Sequence, residues 1–167
     1  VRARFYDDYA AYVEHLPGVC AAGGVSRLSA TGSYNTWGTV AVTGPLAGTS
    51  GPTRRSFTTA EQRVVSGDYF RAVGIPLLEG RLFDAHDDPR APRRVVVSHS
   101  LAELLFPGVD PLGQRLHTGG FEAEIIGVVG DVALDAEGRE AAYVYHAHRQ
   151  FAGNRNWALT QVVSTTR

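Results

Sequence analysis

Two histidines near the carboxyl end of the chain have the spacing of a metal site. His146 and His148 are two residues apart, so on a β-strand both side chains would point to the same face. Two imidazoles on one face can begin a zinc site, for which His99, His117 or Asp131 would have to supply a third ligand. The alternative, favoured by the arginine that follows the second histidine, is the polar end of a surface strand.

A run of acidic residues in the middle of the chain could bind a hard cation. Residues 84–88 read Asp-Ala-His-Asp-Asp, and carboxylate oxygens are the ligands that calcium prefers. The run lacks the spaced Asp, Asn and Gly residues and the final Glu of a calcium loop. Arg90, Arg93 and Arg94 follow it and would compete for the same carboxylates. We therefore interpret the run as a solvated, helix-capping turn.

A Ser-His-Ser sequence lies where a predicted strand turns into a helix, which is a place that suits a nucleophile. The nucleophile elbow of α/β-hydrolases needs Gly two residues before and two residues after its serine. Around Ser98 those positions hold Val96 and Ser100, and around Ser100 they hold Ser98 and Ala102. Helix capping by one of the two serines is the favoured interpretation, and hydrolase chemistry is the alternative.

The composition argues against nucleotide and nucleic-acid binding. All 16 basic residues are Arg, whereas a phosphate-binding P-loop needs a Lys. Gly127 and Gly130 lack the third Gly of a dinucleotide-binding turn, and we interpret them as part of a strand. The net charge is -1 and the basic residues form no long run, which disfavours binding to phosphate backbones. We expect no cofactor.

The first residue and the single cysteine bear on the context of the chain. Met is absent and the sequence begins at Val1, so we expect a piece of a longer protein. Cys20 is the one cysteine and cannot form an internal disulfide. No apolar run approaches the ~18 residues of a transmembrane helix.

The amino-terminal residues have the period of an amphipathic helix. Over residues 3–16, Phe5, Tyr9, Tyr12 and Leu16 recur at intervals of four and three residues, which predicts one apolar face that Val13 widens. A Pro-Gly pair at 17–18 ends the helix. Aromatic residues at this spacing indicate a packing stripe.

Strand signals dominate the rest of the chain. Residues 31–60 are rich in Gly, Thr, Ser and Pro around one strand at 37–43, and we interpret them as an inserted, flexible β-lobe. Asp68 is predicted to cap a short helix that Gly74 ends, and a Gly-Gly pair at 119–120 predicts a hairpin turn. The pattern predicts an α+β fold, with further strands over 19–30, 62–65, 77–83, 95–97, 114–117, 121–129, 142–146 and 157–164, and helices over 69–73 and 101–106.

An ordered set of short motifs covers about residues 63 to 164. Val-Ser-Gly-Asp-Tyr-Phe at 65–70 is followed by Gly-Ile-Pro-Leu-Leu-Glu-Gly-Arg-Leu-Phe at 74–83, Phe-Pro-Gly at 106–108, Asp-Pro-Leu-Gly at 110–113 and Ile-Ile-Gly-Val-Val-Gly-Asp-Val at 125–132. In order and spacing, the set resembles the periplasmic core domain of MacB/FtsX-type ABC transporter permeases. The residues that carry the resemblance are Asp68, Tyr69, Phe70, Gly74, Gly80, Arg81, Phe83, Pro107, Gly108, Asp110, Pro111, Gly113, Gly127 and Asp131.

The resemblance implies structural roles for these residues. Glycines of this kind suit turns and prolines fix bends. Arg81 is expected to pair with an acid such as Asp68 or Asp110. The resemblance implies no catalytic residue, no metal and no cofactor, so we expect a domain that is not an enzyme.

The resemblance also implies how the chain is organised. The expected fold is a mixed or antiparallel sheet with a few short helices, porter-like βαβ elements and a small β-rich insertion. Residues 1–167 would form a single extracytoplasmic domain, with a stalk helix over 1–18 and the inserted lobe over 31–60. Residues 61–167 would form the porter-like core, of which the C-terminal part is missing from this chain.

The function implied by the resemblance is coupling of ATP-driven transmembrane motion to export or release of a substrate outside the inner membrane. A cytoplasmic ABC ATPase would act through membrane helices absent from this chain. The other implied partners are a second permease subunit in a dimer, and a periplasmic substrate or adaptor, with no nucleic acid. The alternative is a stand-alone extracytoplasmic module that binds a ligand or a lipoprotein.

Overall fold

A computed structural model describes residues 2–28, 37–44, 54–133, 141–151 and 159–166. Within these ranges the chain forms three α-helices, a 3-10 helix and nine strands. The helices are α1 (Arg2–Glu14), α2 (Tyr69–Val73), α3 (His99–Leu105) and the 3-10 helix His148–Phe151. The strands are β1 (Val19–Val25), β2 (Trp37–Gly44), β3 (Arg54–Gly67), β4 (Leu77–Gly80), β5 (Arg94–Ser98), β6 (Arg115–Thr118), β7 (Phe121–Val129), β8 (Tyr143–Ala147) and β9 (Thr160–Thr165).

The nine strands form one mixed sheet in the order β2-β6-β7-β5-β8-β3-β1-β9, with β4 paired to β7. Strand β2 also pairs with β3, so six of the strands form a closed circuit. The pairs β3–β8 and β5–β7 are parallel, and the other pairs are antiparallel. The chain connection from β5 to its parallel neighbour β7 contains α3 and then β6, which corresponds to the expected βαβ element. The α+β class is confirmed.

Strand β3 is much longer than the sequence predicted. Its first half pairs with β2, from Gly44 opposite Arg54 to Trp37 opposite Glu61, and its second half pairs with β8 and β1. The sequence pattern indicated only 62–65, because the first half is polar and shows no apolar alternation.

The predicted lobe at 31–60 falls partly outside the described residues, which leave out 31–36 and 45–53. Its described strands join the main sheet. Val40, Val42 and Ala60 are buried in the same hydrophobic cluster as α3.

The sheet has a hydrophobic cluster on each side. One cluster packs α3 against β5, β7 and β2, with Leu101, Leu105 and Ile125 fully buried. The other packs α2 against β8, where the ring of Phe70 lies 4.9 Å from that of Tyr145. Burial raises the pKa of the Tyr145 hydroxyl well above its usual value.

Helix α1 packs on the sheet with a face turned away from the predicted aromatic stripe, and of the predicted apolar residues only Val13, at the margin of the stripe, is buried. Phe5 and Tyr12 are 63% and 67% exposed, and Tyr9 and Leu16 are also exposed. The buried residues of the helix are small ones, Ala10 and Val13. The reason is a close approach at Gly67, where an added Cβ would lie only 3.1 Å from the Ala10 Cβ. Bulky aromatic side chains do not fit between backbones this near, so they face outward.

The predicted turns and caps are mostly confirmed. Gly119 and Gly120 adopt φ of 61° and 88° at the hairpin between β6 and β7, and Gly74 ends α2 at φ 75°. Ser98 caps α3, accepting a hydrogen bond from the Leu101 amide at 3.4 Å. The prediction for Asp68 was wrong in its contact: it precedes α2 but makes no side-chain capping hydrogen bond. Among the described residues, no helix has the length and apolarity that crossing a bilayer requires.

Candidate functional site

A cleft of about 310 Å³ opens at one edge of the sheet. The parallel strands β3 and β8 both end at this edge, so their last residues form its floor. Helix α1 forms one wall, and the loop at residues 82–87 forms the other. Acidic side chains line both walls, and the floor contributes a histidine and an arginine from the 3-10 helix: the charged lining is Asp7, Glu14, Asp68, Arg71, Asp84, Asp87, His148 and Arg149.

The loop wall is built around a fully buried carboxylate. Asp87 has 0% exposure and accepts two hydrogen bonds from Arg81, at 2.8 and 3.0 Å. Arg94, on β5, donates to the same carboxylate at 2.9 Å, and the amide of Asp84 donates at 2.9 Å. This bidentate arrangement is the strongest form of such a contact and holds the loop to the sheet.

The electrostatics of the loop wall follow from these contacts. Burial by itself raises the pKa of Asp87, but the hydrogen bonds from Arg81, Arg94 and the Asp84 amide outweigh it and lower the pKa to about 2. The hydrogen bond to Asp87 likewise raises the pKa of Arg81 above its usual value. The carboxylate therefore stays charged throughout the neutral range.

The predicted partners of Arg81 were wrong. Arg81 pairs with Asp87 and, at 3.3 Å, with Asp84, both in the loop that follows it. Asp68 instead lies 3.5 Å from Arg71, one helical turn along. Asp110 accepts from the Leu112 amide at 2.8 Å and shapes its own turn. In each case a partner nearby in sequence takes the place of the long-range one.

The acidic run at 84–88 is a turn, as the favoured interpretation held, but that interpretation was wrong in two respects: no described helix begins or ends at the run, and the run is not fully solvated. Asp87 is buried, and its oxygens are occupied by arginines. Asp84 accepts from the His86 amide at 2.7 Å, which lowers the pKa of Asp84, and Asp88 accepts from the Arg90 amide at 2.7 Å. Of the arginines expected to compete for these carboxylates, Arg94 at the start of β5 does so, since it donates to Asp87.

The helix wall is tied to the floor by one acidic residue. Asp7 of α1 places one carboxylate oxygen 3.0 Å from His148 Nε2 and the other 2.9 Å from Arg149 Nε. The His148 side chain is only 6% exposed. Sequence reasoning missed this contact, because the partners are separated by more than 140 residues and nothing local marks them.

The two histidines do not form a metal site. His146 lies 2.6 Å from the Oε1 atom of Gln62 and packs against the rings of Phe121 and Phe151. His148 belongs to the 3-10 helix and faces α1, because the strand ends between the two residues. Both are buried, so the alternative of an exposed strand end is also wrong.

The proposed third ligands do not join either histidine. His99 Nδ1 lies 3.8 Å from Asp131 Oδ2 at the start of α3, and His117 is exposed on β6. In the described part of the chain, no three His, Cys, Asp or Glu residues come together in a way that could hold a metal ion.

The serine at the end of β5 is structural in its contacts. Ser98 is fully buried, and its hydroxyl accepts from the amides of Leu101 and Tyr143. Asp131 accepts from the amide of Ser100 at 2.9 Å. The hydroxyl of Ser98 is thus used by the backbone and is not open to a substrate.

The remaining signature residues shape the fold around the cleft. A Cβ at Gly80 would lie 2.3 Å from the Ile126 carbonyl oxygen, and one at Gly127 would lie 2.2 Å from that of Arg81. These two glycines therefore let β4 and β7 meet. Phe70 and Phe83 line the cleft, and Tyr69 is buried against Phe70. The turn after α3 contains Pro107, Gly108, Asp110, Pro111 and Gly113, of which the two glycines have positive φ.

Comparison with known sequences finds one family. A sequence model of the family described as MacB-like periplasmic core domain matches residues 2–165. A curated relative, the probable export ATP-binding/permease protein MacB of Pseudomonas entomophila strain L48, is 41% identical over 68 residues. The matched part is 40% of this chain and 10% of that relative, so the chain corresponds to a small part of the relative's length.

Solved structures share the fold. The periplasmic region of MacB from Actinobacillus actinomycetemcomitans matches with a TM-score of 0.65 at 17% identity, over 95% of this chain and 64% of that one. The extracellular domain of the noncanonic ABC-type transporter YknZ from Gram-positive bacteria matches with a TM-score of 0.62 at 19% identity, over 98% and 74%. At these identities the likeness establishes the fold alone.

Proposed function

The chain belongs to the family of MacB-like periplasmic core domains, and we propose that it acts as the moving extracytoplasmic domain of an ABC transporter permease subunit. In this proposal, ATP hydrolysis by a cytoplasmic ATPase shifts membrane helices, and α1 carries that shift to the sheet. The observation that supports it is the placement of α1. The helix packs on the sheet through the small residues Ala10 and Val13, and Asp7 ties it to His148 and Arg149 after the end of β8, so a displacement of the helix would be passed to the core.

The cleft is where such motion would act. One of its walls is α1, and the other is the loop that Asp87 fixes to the sheet. A shift of α1 relative to the loop would widen or narrow the cleft between two discrete arrangements. A substrate or partner that contacts the two arrangements unequally would then be moved or released.

The partners follow from the same proposal. The relative from Pseudomonas entomophila is described as an export ATP-binding/permease protein, which supports an ATPase and an export role for the protein that contains this chain. We place the domain at the extracytoplasmic face of the inner membrane, in a permease dimer, with a periplasmic substrate or adaptor as its ligand. No chemical step is assigned to the domain itself.

The division of the chain is part of the proposal. Residues 1–18 serve as the stalk, and residues 61–167 form the porter-like core. The segment 31–60 adds β2 and the first half of β3 to the sheet. A role for the residues between these strands is not assigned.

A stand-alone binding module is the second candidate, because the cleft reaches the lower end of the range for ligand pockets, roughly 300–1,000 Å³. Its lining is rich in charged groups that already have partners, whereas such pockets are mainly apolar. Binding of a ligand by this chain without any response to nucleotide would favour this candidate over the first.

The test uses the full-length protein in lipid nanodiscs. Amide hydrogen exchange is measured in α1 and in residues 81–94, without nucleotide and with ATP plus vanadate. We expect exchange to differ between the two states in both segments. The matched control replaces the ATP-binding lysine of the ATPase, which should abolish the difference. Equal exchange in the two states of the active protein would refute the proposal.

A further inference from the structure

The 3-10 helix at residues 148–151 contacts α1, which is one wall of the cleft, and residues 88–94, which directly follow the loop wall. Its first two residues, His148 and Arg149, bind the two carboxylate oxygens of Asp7 on α1, at 3.0 and 2.9 Å. Its third residue, Gln150, is 6% exposed and accepts from the Arg94 amide at 3.1 Å. Three consecutive residues thus join the stalk helix to the opposite side of the site.

The connection continues into the loop wall. The amide group of Gln150 donates to the carbonyl oxygens of Pro92, at 2.9 Å, and of Asp88, at 3.2 Å. Arg94, whose backbone Gln150 holds, binds Asp87 through its guanidinium group. The 3-10 helix therefore contacts the same short segment that fixes the loop, through buried polar groups.

The contacts on the α1 side are suited to transmit a displacement. Both oxygens of Asp7 are occupied, one by the His148 imidazole and the other by the Arg149 guanidinium, and a carboxylate held at both oxygens resists sliding more than an apolar contact does. Two further polar contacts of α1 are longer: the Leu159 amide donates to the Tyr6 hydroxyl at 3.2 Å, and the Ala22 amide donates to Glu14 at 3.4 Å.

We propose that Asp7, His148, Arg149 and Gln150 form a coupling joint, through which the position of α1 sets the position of the loop at residues 81–94. The joint rests on the proposed function, since it supplies the route by which stalk motion reaches the far wall of the cleft. These are positioning residues, because they act on the loop and not on a substrate.

The test compares Asp7→Asn with Asp8→Asn in the full-length protein in nanodiscs. Asp7→Asn keeps the shape of the side chain and removes the charge that both partners bind, while Asp8 is the exposed neighbour and serves as the matched control. Exchange is again measured at residues 81–94 with and without ATP plus vanadate. With Cys20 replaced by Ser and any other cysteines of the full-length protein removed, a spin-label pair at Tyr12→Cys and Glu103→Cys reports the distance between α1 and the core.

In the wild type we expect exchange at 81–94 to respond to nucleotide, with a narrow label distance in both states. In Asp7→Asn we expect that response to be lost, the label distances to broaden, and exchange at 148–151 to rise about tenfold. Asp8→Asn should behave as the wild type. A full nucleotide response at 81–94 in Asp7→Asn would overturn the joint while leaving the proposed function intact.

A second variant covers the case in which Asp7→Asn unfolds the domain. Gln150→Glu keeps the size of the side chain and its acceptor for the Arg94 amide, but removes the donor to Pro92 and Asp88. It should keep α1 in place, with a narrow label distance, and still lose the nucleotide response at 81–94. Retention of that response would refute the joint. A wild type without any nucleotide response would overturn both the joint and the proposed function.

Discussion

Replacing Asp87 by Asn tests the loop wall of the cleft most sharply. The substitution keeps the shape of a fully buried side chain and removes the charge that binds Arg81 and Arg94. The pKa of Asp87 is about 2 against an ordinary value of 3.8. At 1.36 kcal/mol per pKa unit, this difference corresponds to roughly 2 kcal/mol of stability.

Solvent reduces this figure. The Arg81 side chain is 39% exposed and that of Arg94 is 25% exposed, so both can regain water when the carboxylate is lost. We therefore expect Asp87→Asn to lower the free energy of unfolding by about 1–2 kcal/mol at pH 7.

The loss should depend on pH with a definite sign. Because the folded-state pKa is lowered, the stabilisation by Asp87 is present above pH 4 and is lost as the pH falls toward 2. The wild type and Asp87→Asn should therefore converge in acid. Urea unfolding of the purified domain at pH 7, 5 and 3, followed by far-ultraviolet circular dichroism, measures the difference.

The matched control is Asp88→Asn, which keeps an oxygen acceptor for the Arg90 and Ala91 amides. It should change the free energy of unfolding by less than about 0.5 kcal/mol. The reasoning is refuted if Asp87→Asn is as stable as the control at pH 7, or if its deficit stays the same at pH 3.

Three further substitutions test other parts of the fold. Gly127→Ala should lower the free energy of unfolding in urea by more than about 2 kcal/mol, because its Cβ would lie 2.2 Å from a backbone oxygen. At Gly74 a Cβ would meet open space, so Gly74→Ala should lower it by about 1 kcal/mol, from the positive φ alone. Equal losses in the two variants would contradict the close approach at Gly127. Val13→Ala should lower the thermal midpoint of unfolding, because it removes buried volume worth about 1–2 kcal/mol. Tyr12→Ser, on the exposed face of α1, should leave the midpoint nearly unchanged. A larger loss of stability in Tyr12→Ser than in Val13→Ala would show that the aromatic stripe is the buried face. Ser98→Ala should cost about 1–2 kcal/mol by calorimetry, because two amides lose their acceptor, and a neutral result would show that water replaces the hydroxyl.

Local features of the fold were predictable from the sequence. Helix α2 has the predicted bounds, 69–73, because a glycine stops it in the left-handed conformation. The hairpin of β6 and β7 was predicted from its Gly-Gly turn and the alternation on either side. Both signals lie within a few residues of the structure they determine, so no tertiary information is needed to interpret them.

The contacts of the site were not predictable in this way. The aromatic stripe of α1 has an ideal helical period, but the period does not tell which surface is buried, and close packing at Gly67 admits only Ala10. Asp7 and His148 meet only because β8 ends beside α1. Arg81 pairs with Asp87 because the tight loop between them brings the two side chains together. That contact depends on the path of the loop, which the motif residues do not specify.

The claim that ATP-driven motion reaches this domain is tested most directly by one distance. Cys20 is exposed on β1 and is the one cysteine of this chain, so it accepts a spin label. In the full-length protein, with any other cysteines replaced, the distance between the labels of two paired subunits is measured by double electron–electron resonance. We predict that ATP plus vanadate shifts the distance distribution, and that the shift disappears when the ATPase is inactive. An identical distribution in both nucleotide states would contradict the account.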